Sequence, residues 1–248
     1  RYDEGRSCDG WGDVLMAIHK DFPTSPHEII NPEVRWFPAD ESLRETTIEK
    51  LLPPLVPELR RQIAEWRESG YEDVSETSQT LLNWWFNRDH PVVHADGTTT
   101  NFQYYFAQRE SLETIVYLHE KVKIVDKHDL MRFDKNGVVS GGMFDETWRR
   151  YVIKMATGSG KTKVMSLVLV WAYFHKTYEE DSDLANNFLL IAPNIIVLDR
   201  LRSDFDGLKI FTEDPVIPEN GLGGRNWKTD FQLTLHIQDQ VGTLHPSG

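Results

Sequence analysis

Cysteine is nearly missing from this chain: Cys8 is the only one in 248 residues. That leaves no internal disulfide framework and fits a reducing compartment, so a cytoplasmic location is expected. Long apolar runs are missing too. The longest nearly unbroken one, Val164 to Phe174, is well short of the ~20 residues a membrane helix needs, and no basic-then-apolar leader opens the chain. No membrane partner is expected. Positive charge is the scarcer sign, with 27 Lys and Arg against 39 Asp and Glu and a net charge of −12. This argues against a simple basic nucleic-acid module. It says less about a motor that grips a strand in one local groove, because whole-chain charge averages over a groove. Asp-Glu pairs are confined to Asp3-Glu4, Asp40-Glu41 and Asp145-Glu146, and none follows residue 146.

Core-forming residues are plentiful. Hydrophobic residues make up 40% of the chain, including eight Trp, twelve Phe and eight Tyr, enough for one large domain or two smaller ones. Residues 1–40 carry Pro23, Pro26, Pro32 and Pro38 and no sustained period, so they read as irregular apart from a short helix near Val14 to His19. From Glu41, apolar residues at helical spacing (Leu43, Ile48, Leu51, Leu55, Leu59, Ile63, Trp66) predict two helices broken by Pro53, Pro54 and Pro57, ending at Ser69-Gly70. Ser75 or Thr77 is positioned to cap a further helix with Leu81, Leu82, Trp84, Trp85 and Phe86. Three consecutive aromatics on a helix point to different sides, so they read as core rather than as a base-stacking platform. A turn at Asn87 to Gly97, an amphipathic helix over Phe102 to Lys123 and a polar loop over Asp126 to Gly142 complete the front half. His90 and His94, with Asp89 and Asp96, read as a solvated turn rather than a metal site.

The informative stretch is Tyr151 to Thr162, YVIKMATGSGKT. A strand-like start gives way to small residues (Ala156, Thr157, Gly158, Ser159, Gly160), then Lys161, Thr162 and a helical period. A phosphate-cradling loop needs that order: glycines let backbone N–H groups face an anion, the helix N-terminus adds its positive end, Lys161 reaches the β and γ phosphates, and the Thr162 hydroxyl ligates magnesium. ATP with Mg2+ is the expected ligand. The strict pattern asks for glycine five positions before Gly160 and finds Met155 instead. Downstream, Phe188 to Ala192 has strand length, Ile195 to Phe205 helical period, and Phe231 to Ile237 alternates as a strand does. The predicted fold class is α/β, a parallel sheet flanked by helices.

The run KMATGSGKT, an apolar helix and then FLLIAPN together resemble the first motor domain of superfamily 2 helicases and translocases, most closely the restriction (Res) subunit of type III and type III-like restriction systems. The resemblance implies an incomplete RecA-like P-loop domain at 101–248, truncated before the Asp-Glu motif, behind a mainly helical region at 1–100. It implies that Thr157, Gly158, Ser159, Gly160, Lys161 and Thr162 bind nucleotide, with Lys161 and Thr162 the catalytic pair and Thr162 on magnesium. Pro193 and Asn194 match a block near the nucleic-acid track. Within YYFAQRESLETIVYL, Gln108 matches the glutamine set against adenine; an amide donates to and accepts from an adenine edge at once. The implied parent is an ATP-dependent translocase on double-stranded DNA, with a methyltransferase subunit as a further partner. The piece itself is expected to bind ATP and hydrolyse it poorly. Two alternatives stay open: a P-loop ATPase that does not act on nucleic acid, and a non-catalytic interaction fragment.

Overall fold

The structure is a computed structural model, which describes residues 54–139 and 151–236. The helices expected near Val14 to His19 and over residues 41–52, all three Asp-Glu pairs and the last residue of the expected 231–237 strand lie outside the described residues. Contacts divide the chain into two compact units, residues 1–60 with 127–145, and residues 61–126 with 146–248. In the first unit, a 3-10 turn at Asp129–Phe133 buries Phe133, and Lys135 pairs with Glu58 at 2.6 Å.

Helix α1 (Val56–Glu68) carries Pro57 in its first turn, where the missing N–H costs no helical hydrogen bond. It stops at Gly70, φ +79°; there Gly70 N donates to Arg67 O and Tyr71 N to Trp66 O, satisfying carbonyls the helix leaves open. Helix α2 (Glu76–Phe86) starts at Ser75, whose hydroxyl accepts from Ser78 N at 3.1 Å. Trp84 and Trp85 are buried and donate through their indole N–H groups to the carbonyls of Pro215 and Val216 at 2.8 and 2.7 Å. They are core residues that also staple the 215–216 segment.

The Asn87 to Gly97 stretch is more than a turn. His90–Val93 (β1) and Thr99–Phe102 (β2) form an antiparallel hairpin, with His90 opposite Phe102 and Val93 opposite Thr99. Its loop closes with Asp96 accepting from Thr98 N at 2.9 Å and Gly97 at φ +82°. Neither strand shows a buried alternating face, which is why periodicity misses it.

Helix α3 (Phe106–Val116) runs into a π-helical turn at Tyr117–Lys121, closed by Val122 N donating to Tyr117 O at 2.9 Å. Helix α4 (Lys161–Tyr178) buries the consecutive residues Leu169 to His175, so it is enclosed on every side over those two turns. It packs against both α2 and α3. Helix α5 (Ile195–Phe205) matches its predicted bounds. The 212–228 stretch, whose glycines and prolines alone would suggest a long loop, is an anchored segment: the short α6 (Lys209–Thr212) and α7 (Trp227–Asp230) bracket buried Val216 and Ile217, and Trp227 packs edge-on to Phe174 at 4.8 Å.

The parallel sheet is not seen. Among the described residues the only sheet is the β1–β2 hairpin, and residues 151–153, 188–192 and 231–236 carry no ladder. Val152, Leu189 and Ile191 stand 78%, 84% and 81% exposed. An apolar segment becomes a strand only when a neighbour supplies the other half of the hydrogen-bond ladder, and none of the described segments does so here. The described architecture is a mixed helix and strand arrangement. No described helix is long and apolar enough to cross a membrane.

Candidate nucleotide-binding site

The loop at residues 155–162 is shaped by two glycines in the left-handed region, Gly158 at φ +82° and Gly160 at φ +77°. They curl the chain round one carbonyl. Ala156 O accepts from Ser159 Oγ at 2.6 Å, from Ser159 N at 3.4 Å and from Lys161 Nζ at 2.8 Å, so the ammonium bridges the two arms of the loop. Gly160 O then accepts from Lys163 N and Val164 N at 3.0 and 3.3 Å, which starts α4. The N-cap of α4 is Gly160 and no side chain caps it. The first N–H groups of a long, buried helix thus meet an exposed loop with a lysine across it, an arrangement that suits an anion. Thr157, Gly158 and Lys161 are exposed, while Ser159, Gly160 and Thr162 are half-buried.

Gln108 lies far from this loop in sequence and against it in space. It is not a solvent-facing residue of an amphipathic helix: only 5% exposed, its Nε2 donates to Ser159 O at 3.2 Å and Gly160 O at 3.5 Å. Its Oε1 accepts from Tyr105 N at 2.9 Å, so Gln108 also closes the first turn of α3 as the third residue of a capping box does. One turn on, Ser111 Oγ lies 3.8 Å from Met155 Sδ. Helix α3 therefore touches both arms of the loop.

Behind Gln108, α3 is held by a buried charge network that the sequence signals only through the Arg109 and Glu113 spacing of four. Fully buried Glu113 accepts from Arg67 Nε at 2.9 Å, Arg109 Nε at 2.8 Å and Tyr71 Oη at 2.6 Å. Burial and the neighbouring Glu113 charge push the Tyr71 phenol far above its ordinary value. A second contact that spacing did not reveal is Lys163, whose Nζ pairs with Asp214 and reaches Ile210 O at 3.4 Å, tying the first turn of α4 to α6 and the segment just after it.

Toward the far end of α4, His175, the π turn and α2 converge on Glu120. It accepts from Ser75 N at 2.8 Å, Trp171 Nε1 at 3.2 Å and the Ser78 hydroxyl, with His175 Nε2 at 3.5 Å. Burial pushes the Glu120 carboxyl upward, but the bonds from His175, Ser78 and Ser75 outweigh it and hold it down at about 2. A cavity of about 490 Å³ opens beside it, lined in part by Asp73, His119, Lys123 and Asp183.

Pro193 and Asn194 sit at the start of α5, both exposed. Asn194 Oδ1 accepts from Val197 N at 3.0 Å, making Asn194 the N-cap of α5. His90 and His94 do not meet: His90 Nε2 bonds Trp84 O and His94 Nε2 bonds Thr100 Oγ1, each at 2.7 Å. Among the described residues no cluster of three or more His, Cys, Asp or Glu is suited to a metal ion.

The profile of the family described as "Type III restriction enzyme, res subunit" matches residues 107–239, more than half of the chain, and takes in Gln108, the loop and Asn194. No curated protein and no solved structure matches the chain.

Proposed function

The chain belongs to the family of the type III restriction enzyme res subunit, and from that premise we propose that it is the ATP-binding part of an ATP-dependent translocase or helicase acting on double-stranded DNA. The nucleotide would lie on the loop from Thr157 to Thr162, with Lys161 facing the phosphates and Gln108 at the adenine. Residues 101–248 are assigned to the RecA-like motor domain, with its parallel sheet, and 1–100 to a helical extension. Pro193 and Asn194 are placed on the DNA track, and a methyltransferase subunit is the expected further partner.

The observation that carries the reading is the uncapped N-terminus of α4, reached through two left-handed glycines and spanned by the Lys161 ammonium. The residues fit a magnesium nucleotide: Thr162 in the first helical turn would hold the metal through its hydroxyl, and the metal would neutralise phosphate charge. Gln108 has both amide atoms engaged with the protein. Meeting adenine requires it to exchange at least the longer bonds, those its nitrogen gives to Ser159 O and Gly160 O. Turnover by the 248 residues is expected to be slow, because residues 163–248 contain no Asp-Glu pair to hold magnesium and activate the attacking water.

Titration with a fluorescent ATP analogue in excess magnesium tests the reading. Lys161→Ala should weaken binding by about tenfold or more, since the point charge facing the phosphates is removed. Unchanged affinity would favour an interaction fragment. A P-loop ATPase with no nucleic-acid role is the second reading, favoured by the net charge of −12; DNA-stimulated turnover in the intact protein would exclude it.

A further inference from the structure

Met155 stands where the general phosphate-loop pattern has glycine, and the structure shows that glycine has no conformational task there. Within the loop only Gly158 and Gly160 have positive φ; the Met155 backbone is one that any residue adopts. Its side chain is half-buried, with the sulfur 3.8 Å from Ser111 Oγ. The Ser111 hydroxyl spends its single proton on Ala107 O at 2.6 Å, so the thioether contact is chiefly one of packing. Ser111 and Gln108 are three apart on α3 and share a face. Gln108 holds the trailing arm of the loop at Ser159 and Gly160, and Ser111 meets the leading arm at Met155.

We propose that Met155 is a positioning residue for nucleotide binding: seated on Ser111, it fixes the leading arm of the loop against α3. The proposal rests on the nucleotide reading given above. Its physical basis is the next residue, Ala156, whose carbonyl gathers Ser159 N, Ser159 Oγ and Lys161 Nζ. Anchoring Met155 restrains that carbonyl, and with it the lysine that faces the phosphates. A glycine at 155 removes the anchor and adds backbone freedom that must be lost when an anion is gripped. Restoring the general pattern therefore weakens the site.

The test is the affinity of the 248-residue chain for a fluorescent ATP analogue in excess magnesium, for the parent chain and for Met155→Gly, Met155→Ala, Met155→Leu and Lys161→Ala. Met155→Gly should lose about five- to tenfold and Met155→Ala, which deletes the anchor but keeps an ordinary backbone, about threefold. Met155→Leu, similar in volume and apolar, should stay within about twofold of the parent. Melting midpoints without nucleotide should be nearly unchanged in all three, since a fold defect is not what is being read. Met155→Gly binding as tightly as the parent, or Met155→Leu binding as weakly as Met155→Gly, overturns the proposal while leaving the nucleotide reading intact. Absence of binding by the parent, with Lys161→Ala indistinguishable from it, overturns the nucleotide reading and this proposal together.

Discussion

Gln108 and Gly160 compete for one space: the Gln108 amide nitrogen lies where a side chain on Gly160 would begin, and that nitrogen donates to the neighbouring Ser159 carbonyl at 3.2 Å. The glycine is thus required twice, once by its φ of +77° and once by the glutamine packed on it.

Gly160→Ala tests both requirements. The left-handed backbone alone costs an alanine ~1–2 kcal/mol, and the amide must also move. Nucleotide affinity should fall by about tenfold or more. Adding Gln108→Ala, which also removes the amide proposed for adenine, should recover part of the accompanying loss in melting midpoint rather than in affinity, because it clears the space but leaves the backbone strain. If the double variant recovers nothing, Gln108 is not the obstructing neighbour.

Glu113 is the next target. Glu113→Gln leaves Arg67 and Arg109 facing a neutral amide in a buried site and should destabilise the chain by about 3 kcal/mol. Tyr71→Phe, which removes one hydrogen bond to the same carboxylate, should cost only about 1 kcal/mol. Chemical denaturation reads both, and equal costs would contradict a charge network centred on Glu113.

The loop, the Ser75 cap and the bounds of α5 were legible in the sequence because each is a local signal: a residue type at a fixed offset from a helix start. The link between Gln108 and Ser159 was not, since it depends on how α3 packs against the start of α4. Residue spacing says nothing of that. The β1–β2 hairpin escaped notice because strand periodicity reports burial of one face, and His90–Val93 buries only His90. Conversely, Phe188 to Ala192 has strand composition, yet composition cannot supply a ladder partner.

Glu120 predicts an acid-sensitive junction. Its carboxyl lies at about 2 against an ordinary 4.5. A depressed carboxyl stabilises the fold above the unfolded value, and that contribution is lost as pH falls from about 4.5 toward about 2. The full effect amounts to about 3 kcal/mol at most. Glu120→Gln should flatten the fall in melting midpoint over this window relative to the parent chain. Parallel curves for the two proteins would show that Glu120 is not the group responsible.

Asn194 serves as a cap in the structure and is placed on the DNA track by the proposed function, and one substitution separates these roles. Asn194→Asp keeps the cap and suits the helix dipole, but sets a negative charge against phosphate. Stability should hold while DNA affinity of the intact protein falls; Asn194→Ala should instead cost about 1 kcal/mol of stability. DNA affinity untouched by Asn194→Asp would leave Asn194 a cap and nothing more.

The π turn at Tyr117–Lys121 bears on how this chain tolerates change in length. A wide turn holds one residue more than the α turn it replaces, so deleting a residue there leaves an ordinary helix and breaks no backbone bond. The side chains bear the cost. Residues on one side of the deletion rotate by about a hundred degrees relative to the other, carrying Glu120 away from Ser75, Ser78 and Trp171 or turning Leu112 and Val116 out of the core they fill. The extra residue is thus what lets one face of α3 meet the 155–162 loop while the end of the same helix serves a different junction.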